Sequence, residues 1–349
     1  MRKSGLRIWI TAMACLGATL SAAPATEDNS ASGFLILSEN DLYCNFFGYK
    51  NRDRHYTQGL KLMYIGSEQD FQAIAARLNR WVPKLGLREE RCSVGFALGQ
   101  NIYTPSDIDT AAPIPGDQPY AGWLYGSLLF QRRGLTGNRV PTLDSFELAL
   151  GVVGPASLAA ATQRQWHRWI RSDLPNGWEN QLKNEPTLEL KYARYWRLTP
   201  NEHTGRYFDF VPHIGADLGN VRMDLNAGVF LRLGYNLPQD FGVNLIDDPA
   251  PAIPLSRKTK SSWFSCYAFV GAEGRMVARD IFLDGNSFAD SLSVDKKNAV
   301  GDFLFGGGLL LFHHLEASFT GVIRSSRFEN QPGGRDAYGS IMLKAIFSI

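Results

Sequence analysis

Two stretches near the start of the chain combine oxygen-bearing side chains with a histidine. Asn40 and Asp41 stand in S-E-N-D-L-Y, and His55 and Thr57 stand in R-D-R-H-Y-T-Q-G-L-K-L. Both stretches mark points where a strand-like apolar pattern meets polar residues. Carboxylate, amide and hydroxyl oxygens are the ligands that calcium prefers, but one carboxylate is too few for a complete site. A polar turn at Asn40 and Asp41 is the simpler alternative.

A second candidate for chemistry lies in the middle of the chain, where Gln163 and His167 are four residues apart. In a helix this spacing puts both side chains on one face. A histidine held against another element can act as a general base on water, since its pKa lies near neutral pH. A solvated helix histidine is the simpler interpretation. We give that simple interpretation to the other histidines: His55, His203, His213, His313 and His314.

Motifs of several other enzyme classes are absent from the sequence. No G-x-S-x-G nucleophile elbow occurs, which argues against the commonest serine-hydrolase arrangement. The three glycines at 306–308 lie inside a strand-like stretch and indicate close packing, not a phosphate-binding loop. After the N-terminal segment, Cys44, Cys92 and Cys266 are scattered without a C-x-x-C pair, which argues against a zinc site. A bond between Cys44 and Cys92 stays open.

The first 25 residues have the pattern of a secretory signal peptide. A basic head with Arg2, Lys3 and Arg7 precedes a short apolar centre and the small residues S-A-A-P-A. We predict cleavage after Ala25, and a lipid anchor on Cys15 is the less favoured alternative. Loss of the three basic residues lowers the formal net charge from +2 to −1. A mature chain with this charge gives no indication of a nucleic-acid partner.

Alternation of apolar and polar residues recurs along the whole mature chain. Between 143 and 152, Phe146, Leu148 and Leu150 share one face, whereas Glu147 lies on the other. Each such stretch is close to the length that a tilted strand needs to cross a bilayer. We predict twelve strands, at 32–40, 57–65, 93–103, 120–131, 143–153, 186–198, 206–218, 222–235, 262–276, 299–312, 314–325 and 337–349.

The character of these strands favours a membrane barrel over a soluble β-sandwich. Many exceed the usual globular length of about five or six residues. Their polar face carries charges in mid-strand, among them Glu147, Asp224 and Arg232, and Tyr and Trp cluster near strand ends. The sequence therefore predicts an all-β fold in residues 26–349, a 12-stranded antiparallel transmembrane β-barrel with a polar lumen.

Two segments, 70–83 and 155–172, show helical spacing instead of alternation. In the first, Phe71, Ile74 and Leu78 repeat at helical intervals. The second begins with a Pro and ends in a Pro/Asn/Gly cluster. With the N-terminus in the periplasm, the second segment is a short helix in an extracellular loop.

The same alternation places the connections 66–92 and 236–261 in the periplasm. Periplasmic connections of outer-membrane barrels are normally short turns. This mismatch leaves open an error in one strand pairing.

Several of these stretches together resemble a known family, the lipid A 3′-O-deacylases of the LpxR family. The resemblance runs through most of the mature chain and is densest from 40 to 198. It rests on N-D at 40–41, Y-T-Q-G-L at 56–60, D-Q-P-Y-A-G-W-L-Y at 117–125, G-V-V-G-P-A-S-L at 151–158, Q-x-x-x-H at 163–167 and G-W-E-N-Q-L-K-N-E-P at 177–186.

The resemblance implies a twelve-stranded outer-membrane barrel whose site lies between the wall and a helix of an extracellular loop. It implies a calcium-dependent hydrolase that removes the 3′-linked acyloxyacyl group from lipid A, by chemistry likened to that of phospholipase A2. His167 then matches the histidine that activates water, and Gln163 matches its partner. Asn40 and Asp41 match the strand-end pair near the calcium, and Thr57 matches the polar residue of the Y-T-x-G motif.

The resemblance leaves some positions less certain. For a further acidic calcium ligand we choose Asp173, with Glu179 as the second choice. Gln118 stands where the family commonly has Arg in D-R-P-Y-A-G-W, so an anion contact there is in doubt. The expected partners are lipid A or lipopolysaccharide and the outer-membrane lipids. The alternatives are a non-catalytic barrel, either a channel or a surface-binding protein, and an outer-membrane phospholipase.

Overall fold

The computed structural model describes residues 31–47, 53–137, 139–199, 204–249 and 263–347. The predicted signal peptide and His203 lie outside these residues. Within them the chain forms a closed antiparallel barrel in which each strand pairs with its neighbours in sequence and the first strand pairs with the last. The strands are β1 (Ser32–Asn40), β2 (His55–Ile65), β3 (Arg88–Thr104), β4 (Ala121–Thr136), β5 (Val140–Val153), β6 (Glu185–Trp196), β7 (Phe208–Gly219), β8 (Arg222–Tyr235), β9 (Phe264–Asp280), β10 (Ala299–Leu311), β11 (Leu315–Ser325) and β12 (Arg335–Phe347). The predicted twelve-stranded barrel is confirmed.

Three α-helices lie in the connections of the described chain: α1 (Gln72–Trp81), α2 (Ala159–Ile170) and α3 (Ile281–Asp284). The first two match the segments predicted as helical. The short α3 was not predicted, and it begins where Asp280 accepts a hydrogen bond from the backbone N–H of Phe282 at 3.0 Å. No helix in the described part of the chain is long and apolar enough to span a membrane.

The two ends of the barrel differ in their connections. Ser32 pairs with Phe347, so β1 begins and β12 ends at the same end. Only three residues separate β4 from β5 and β10 from β11 at this end, as expected for the periplasmic side. The helix α1 is also at this end, whereas α2 is at the opposite, outer end.

Several strands are longer than their apolar pattern predicts, and β3 and β4 show the largest extensions. β3 begins at Arg88 instead of 93, and β4 ends at Thr136 instead of 131. Their extra residues pair with each other, Arg91 with Arg133 and Cys92 with Arg132. Because most of these residues are charged, period-two hydrophobicity does not reveal them.

The two faces of the wall have opposite chemistry, as the alternation predicts. Leu225 is 63% exposed and Leu233 is 64% exposed on the outward face, whereas Arg232 between them in β8 is 0% exposed. A surface of large apolar side chains suits hydrocarbon and not water. The outward face is therefore the lipid-facing surface, and the charged face lines the lumen.

The lumen is held together by ion pairs between side chains of different strands. Lys61 Nζ donates to Glu147 Oε2 at 2.8 Å, and Arg232 Nη2 donates to Asp209 Oδ2 at 2.7 Å. Removing a charge from water costs several kcal/mol unless a partner compensates it. These charges can therefore be buried only because each has a partner of opposite charge.

The segment 237–248 enters the barrel and fills its lumen. The backbone N–H of Ile246 donates to Glu39 Oε1 at 2.8 Å, and Lys61 Nζ donates to the carbonyl of Ile246 at 3.3 Å. The guanidinium of Arg222 lies 3.1 Å from Asp247 Oδ2. The connection between β8 and β9 is long because part of it lies inside the barrel, so the suspected error in strand pairing does not exist.

The possible bond between Cys44 and Cys92 does not form. Cys44 lies in the 3-10 helix Asp41–Phe47 at the outer end, and Cys92 lies near the periplasmic start of β3. Both thiols are free. The length of the barrel separates them.

We expect excision of residues 239–248 to convert a closed barrel into a conducting one, because these residues fill the interior. In planar lipid bilayers the wild type should give no stepwise conductance, and the shortened variant should give it. Leu225→Ala, a change confined to the lipid-facing surface, is the control and should stay closed. Channel activity of the wild type would contradict this view of the lumen.

Candidate active site

The candidate residues of the sequence meet at the outer end of the barrel. Asn40 ends β1, and Asp41 begins the 3-10 helix that follows. Thr57 lies near the start of β2, and the helix α2 carries Gln163 and His167 on its buried side. Residues far apart in sequence therefore lie on adjoining elements.

A β-bulge in β2 decides which way Thr57 points. The pairing with β3 shifts between Tyr56 and Gln58, so Thr57 is the extra residue. The hydroxyl of Tyr56 reaches into the lumen and donates to Glu39 Oε2 at 2.7 Å, whereas the hydroxyls of Thr57 and Thr104 lie 2.7 Å apart on the outward side. Bulges commonly re-aim a side chain in this way.

The helix α2 lies against the outward face of the wall because Gly122 of β4 has no side chain. A Cβ atom at this position would lie 2.1 Å from Cβ of Ala159 and 2.3 Å from Oγ of Ser157. Any other residue would push the start of α2 away from the wall. The apolar contact is completed by Ile102, Tyr120 and Trp178.

Asp53, which the sequence analysis did not single out, joins α2 to the barrel. Its Oδ1 lies 3.2 Å from His167 Nε2 and accepts a hydrogen bond from Gln163 Nε2 at 3.3 Å. Its backbone carbonyl accepts from the Thr104 hydroxyl at 2.6 Å. Asp53 stands in the quoted stretch R-D-R-H-Y-T. Because it lies in a loop, no strand or helix periodicity predicts where its side chain points.

His167 is held in one tautomer. Its Nδ1 is hydrogen-bonded to the backbone carbonyl of Asp173. Since a carbonyl only accepts, Nδ1 carries the proton and Nε2 carries the lone pair of the neutral ring. Burial lowers the pKa of His167, but the hydrogen bonds to Asp53 and to the Asp173 carbonyl, with the charge of Asp53, raise the pKa above its ordinary value.

Gln163 is oriented by Trp178, a second residue that the sequence analysis missed. The indole N–H of Trp178 donates to Gln163 Oε1 at 2.8 Å. An indole nitrogen can only donate, so it selects the amide oxygen and leaves the amide N–H groups for Asp53. The orientation of the Asp53 carboxylate thus depends on both residues.

Asp41 lies beside this cluster with one carboxylate oxygen unsatisfied. Its Oδ2 accepts from the backbone N–H of Arg54 at 3.0 Å, whereas its buried Oδ1 has no hydrogen-bond partner among the described residues. Burial raises the pKa of Asp41 well above its ordinary range, and the nearby charge of Asp53 raises it further. A bound cation would offset both effects.

The remaining metal-ligand candidates are less directly placed. Asn40 Oδ1 accepts from the backbone N–H of Leu42 at 2.9 Å. The side chains of Asp173 and Glu179 are exposed, and Asp173 contacts His167 through its backbone carbonyl. Across the described residues, no group of three or more His, Cys, Asp or Glu side chains could hold a metal ion.

His55 is buried, so the simple interpretation as a solvated histidine is wrong. Its Nδ1 lies 2.7 Å from Asp336 Oδ1, and its Nε2 lies 3.2 Å from Asp117 Oδ1. The φ angles of Asp53 (45°) and His55 (61°) are both in the left-handed region, which side chains disfavour. The two carboxylates that hold His55 therefore also fix the strained segment that presents Asp53.

An arginine from another part of the chain approaches Gln118, the position at which the resemblance implied an Arg. The buried side chain of Arg327 donates through Nη2 to Gln118 Oε1. Arg327 also lies 3.8 Å from Asp280. A guanidinium is thus present near this position, although its charge is shared with a carboxylate.

Comparisons with known proteins agree with this architecture. The family model "Outer membrane protein LpxR" matches residues 10–347. Among solved structures, LpxR from Salmonella typhimurium matches with a TM-score of 0.69 and 20% identity, over 90% of this chain and 100% of that chain. The β domain of the Bordetella autotransporter BrkA gives a TM-score of 0.42 with 10% identity, over 92% and 100% of the two chains. No curated protein sequence matches.

The family match extends over nearly all of the described residues, and the Salmonella structure confirms the fold. The protein is therefore an outer-membrane β-barrel. The chain belongs to the LpxR family of outer membrane proteins.

Proposed function

We propose that this protein is a calcium-dependent hydrolase that removes the 3′-linked acyloxyacyl group from lipid A, the membrane anchor of lipopolysaccharide. Membership of the LpxR family supports deacylation of lipid A at the outer membrane. The observation that carries the proposed chemistry is the contact of His167 with Asp53 beside the unsatisfied carboxylate of Asp41.

His167 is the general base of the proposed reaction. Its neutral Nε2 takes a proton from a water molecule bound beside Asp53, and the water oxygen attacks the ester carbonyl carbon. Asp53 then stabilises the imidazolium, while the proton on Nδ1 stays hydrogen-bonded to the Asp173 carbonyl. As the ester C–O bond breaks, the imidazolium returns its proton to the sugar oxygen, and the fatty acyl group leaves as a carboxylic acid. No covalent intermediate is required.

The residues at the end of β1 fit a calcium ion. Asp41 offers a buried oxygen that no described residue contacts by a hydrogen bond, and Asn40 adds an amide oxygen next to it in sequence. These two residues would hold the ion, with backbone, water or substrate oxygens completing the shell. When bound, calcium would polarise the ester carbonyl and stabilise the oxyanion that forms on it.

Thr57 contributes to this arrangement through its neighbour. The single hydroxyl proton of Thr104 is donated to the Asp53 carbonyl, so the hydroxyl of Thr57 is the donor in the contact between the two threonines. Thr57 thus secures the strand that presents Asp53. In this proposal it positions Asp53 and does not take part in proton transfer.

The other functions considered have less support. A channel requires an open lumen, which the segment 237–248 fills. A phospholipase would use the same base and metal on a different ester, and no feature of the described residues favours that substrate.

We expect His167→Ala to lower the release of the 3′ acyl groups by at least about 100-fold, the usual contribution of a general base. Mass spectrometry of lipid A from cells that express each variant measures this loss. His313→Ala, in a turn at the periplasmic end, is the matched control and should retain activity. Identical spectra for wild type and His167→Ala would refute the proposal. Release of fatty acid from glycerophospholipid but not from lipid A would show instead that the protein is a phospholipase.

The raised pKa of His167 predicts a pH dependence. The protonated ring cannot act as a base, so kcat/KM should rise with pH through this pKa. Asp53→Asn removes the charge that raises it, so the acidic limb should move to lower pH while the maximum rate falls. Asp173→Asn leaves the backbone carbonyl in place and removes only a smaller charge contribution to the raised pKa of His167, so it should shift the limb less than Asp53→Asn does. An unchanged limb in Asp53→Asn would contradict the assigned contact.

The calcium requirement should depend on Asp41. We expect Asp41→Asn to raise the calcium concentration for half-maximal activity by at least about 10-fold, because it removes the anionic oxygen that the ion would neutralise. Titration with calcium in chelator-buffered solution measures this shift. The carboxylate of Asp173 is exposed, so Asp173→Asn should have little effect. A larger rise of this calcium concentration in Asp173→Asn than in Asp41→Asn would identify Asp173 as the acidic calcium ligand instead.

A further inference from the structure

The helix α1 packs on the outside of the barrel near its periplasmic end. Its Ala75 contacts Val94 of β3 and Phe130 of β4. Val94 alternates with Phe96 and Leu98, which are exposed on the lipid-facing surface, yet Val94 itself is completely buried. The helix therefore covers part of the lipid-facing surface and does not cap the lumen.

Two arginines attach the C-terminal end of α1 to the wall. Arg132 of β4 donates to the carbonyls of Val82 at 3.1 Å and Pro83 at 2.6 Å, and Arg194 of β6 donates to the carbonyl of Leu85 at 2.8 Å. Carbonyls at and just after a helix C-terminus lack partners within the helix, and cations there also favour the helix dipole.

Asp144 of β5 completes a charged row across these three neighbouring strands. It is paired in register with Arg132 on one side and Arg194 on the other. Its carboxylate accepts from Arg132 at 3.0 Å and from Arg194 at 2.6 Å and 2.8 Å. This row points to the outward side, where hydrocarbon would destabilise it. Detachment of α1 would expose the row, so the helix is held firmly in place.

One flank of α1, beside the face that packs on the barrel, presents large apolar side chains. Trp81 is 78% exposed, and Phe71 and Ile74 are also exposed. The ring of Phe71 meets that of lipid-facing Phe96 edge to face, with centroids 5.4 Å apart. The apolar side of α1 is thus continuous with the lipid-facing surface of the barrel.

Basic residues accompany this apolar side. Arg77 follows Ile74 by three residues, which places both on one side of the helix, and Arg80 lies beside Trp81. Both arginines are exposed, and neither forms an ion pair with a residue that the structure describes. Helices that lie in a membrane interface combine Trp, Phe or Leu with Arg or Lys in this manner, and Trp favours the headgroup level.

We propose that α1 is an interfacial helix that lies in the periplasmic leaflet of the outer membrane and binds its phospholipids. Ile74 and Trp81 enter the boundary between headgroups and acyl chains, and Arg77 and Arg80 bind headgroup phosphates. Continuity with the lipid-facing surface and the two arginines without ion pairs favour phospholipid over a soluble protein or a second copy of this chain.

The experiment places a probe on two sides of the same helix. In a chain whose mature cysteines are replaced by Ala, Ile74→Cys and Ala76→Cys are each labelled with an environment-sensitive fluorophore. Ala76 is exposed and lies about 200° from Ile74 around the helix, so it is the matched control. Each protein is reconstituted in phosphatidylethanolamine–phosphatidylglycerol vesicles that contain lipids with a quencher near the headgroup end of the acyl chain. We expect quenching at position 74 and none at position 76.

A second measurement tests the phosphate contacts. The wild type should unfold at a higher temperature in phosphatidylglycerol-rich vesicles than in phosphatidylcholine vesicles, and Arg77→Gln with Arg80→Gln should remove that difference. Arg168→Gln with Arg171→Gln, at the outer end, should keep it. Equal quenching at positions 74 and 76, or a difference that the α1 double variant retains, would overturn the proposal. Crosslinking of position 74 to a second copy of the chain would also overturn it, because α1 would then contact protein instead of lipid.

Discussion

The contact of Asp53 with α2 is the one on which the arrangement at the outer end depends. Asp53 accepts a hydrogen bond from Gln163 and forms an ion pair with the protonated ring of His167. Gln163 and His167 come from a loop, and without this carboxylate only apolar packing around Gly122 would hold them to the wall. The left-handed backbone at Asp53 and His55 costs roughly 1–3 kcal/mol at each residue. Hydrogen bonds to charged groups contribute about 1.5–3 kcal/mol each, and this short segment makes several. The strain is therefore offset locally.

The interior of the barrel supports the same strands from the other side. Glu39 accepts from the Tyr56 hydroxyl and from the backbone N–H of Ile246, so one luminal carboxylate joins β1, β2 and the segment 237–248. Asn40 follows Glu39 directly in sequence, and the bulged Thr57 follows Tyr56. Asn40 and Thr57 are thus each next in sequence to a residue that is hydrogen-bonded in the lumen. The wall between them is stabilised on both of its faces.

Much of this architecture could be predicted from the periodicity of apolar residues in the sequence, and the features that could not be predicted in this way have physical reasons. Alternation located all twelve strands, and helical spacing located α1 and α2, because burial on one face imposes a period. The luminal position of 237–248 could not be predicted from a period, since the segment is not a strand and contacts both charged groups and apolar side chains of the interior. Asp53 and Trp178 were missed because loops present side chains in directions that only the fold determines. Alternation also puts Asp144 on the lipid-facing side, and only the cover of α1 makes this tolerable.

The placement of α2 on the outward face of the wall has a consequence for how an ester would arrive. With the interior filled by 237–248 and the bulged Thr57 turned outward, the approach to His167 is sideways, from the surrounding leaflet. If the proposed hydrolysis takes place, encounter would occur by diffusion in two dimensions, and a released fatty acid would depart along the same plane. The fluidity of the neighbouring lipids, more than any concentration in solution, would set how often the imidazole meets a new molecule.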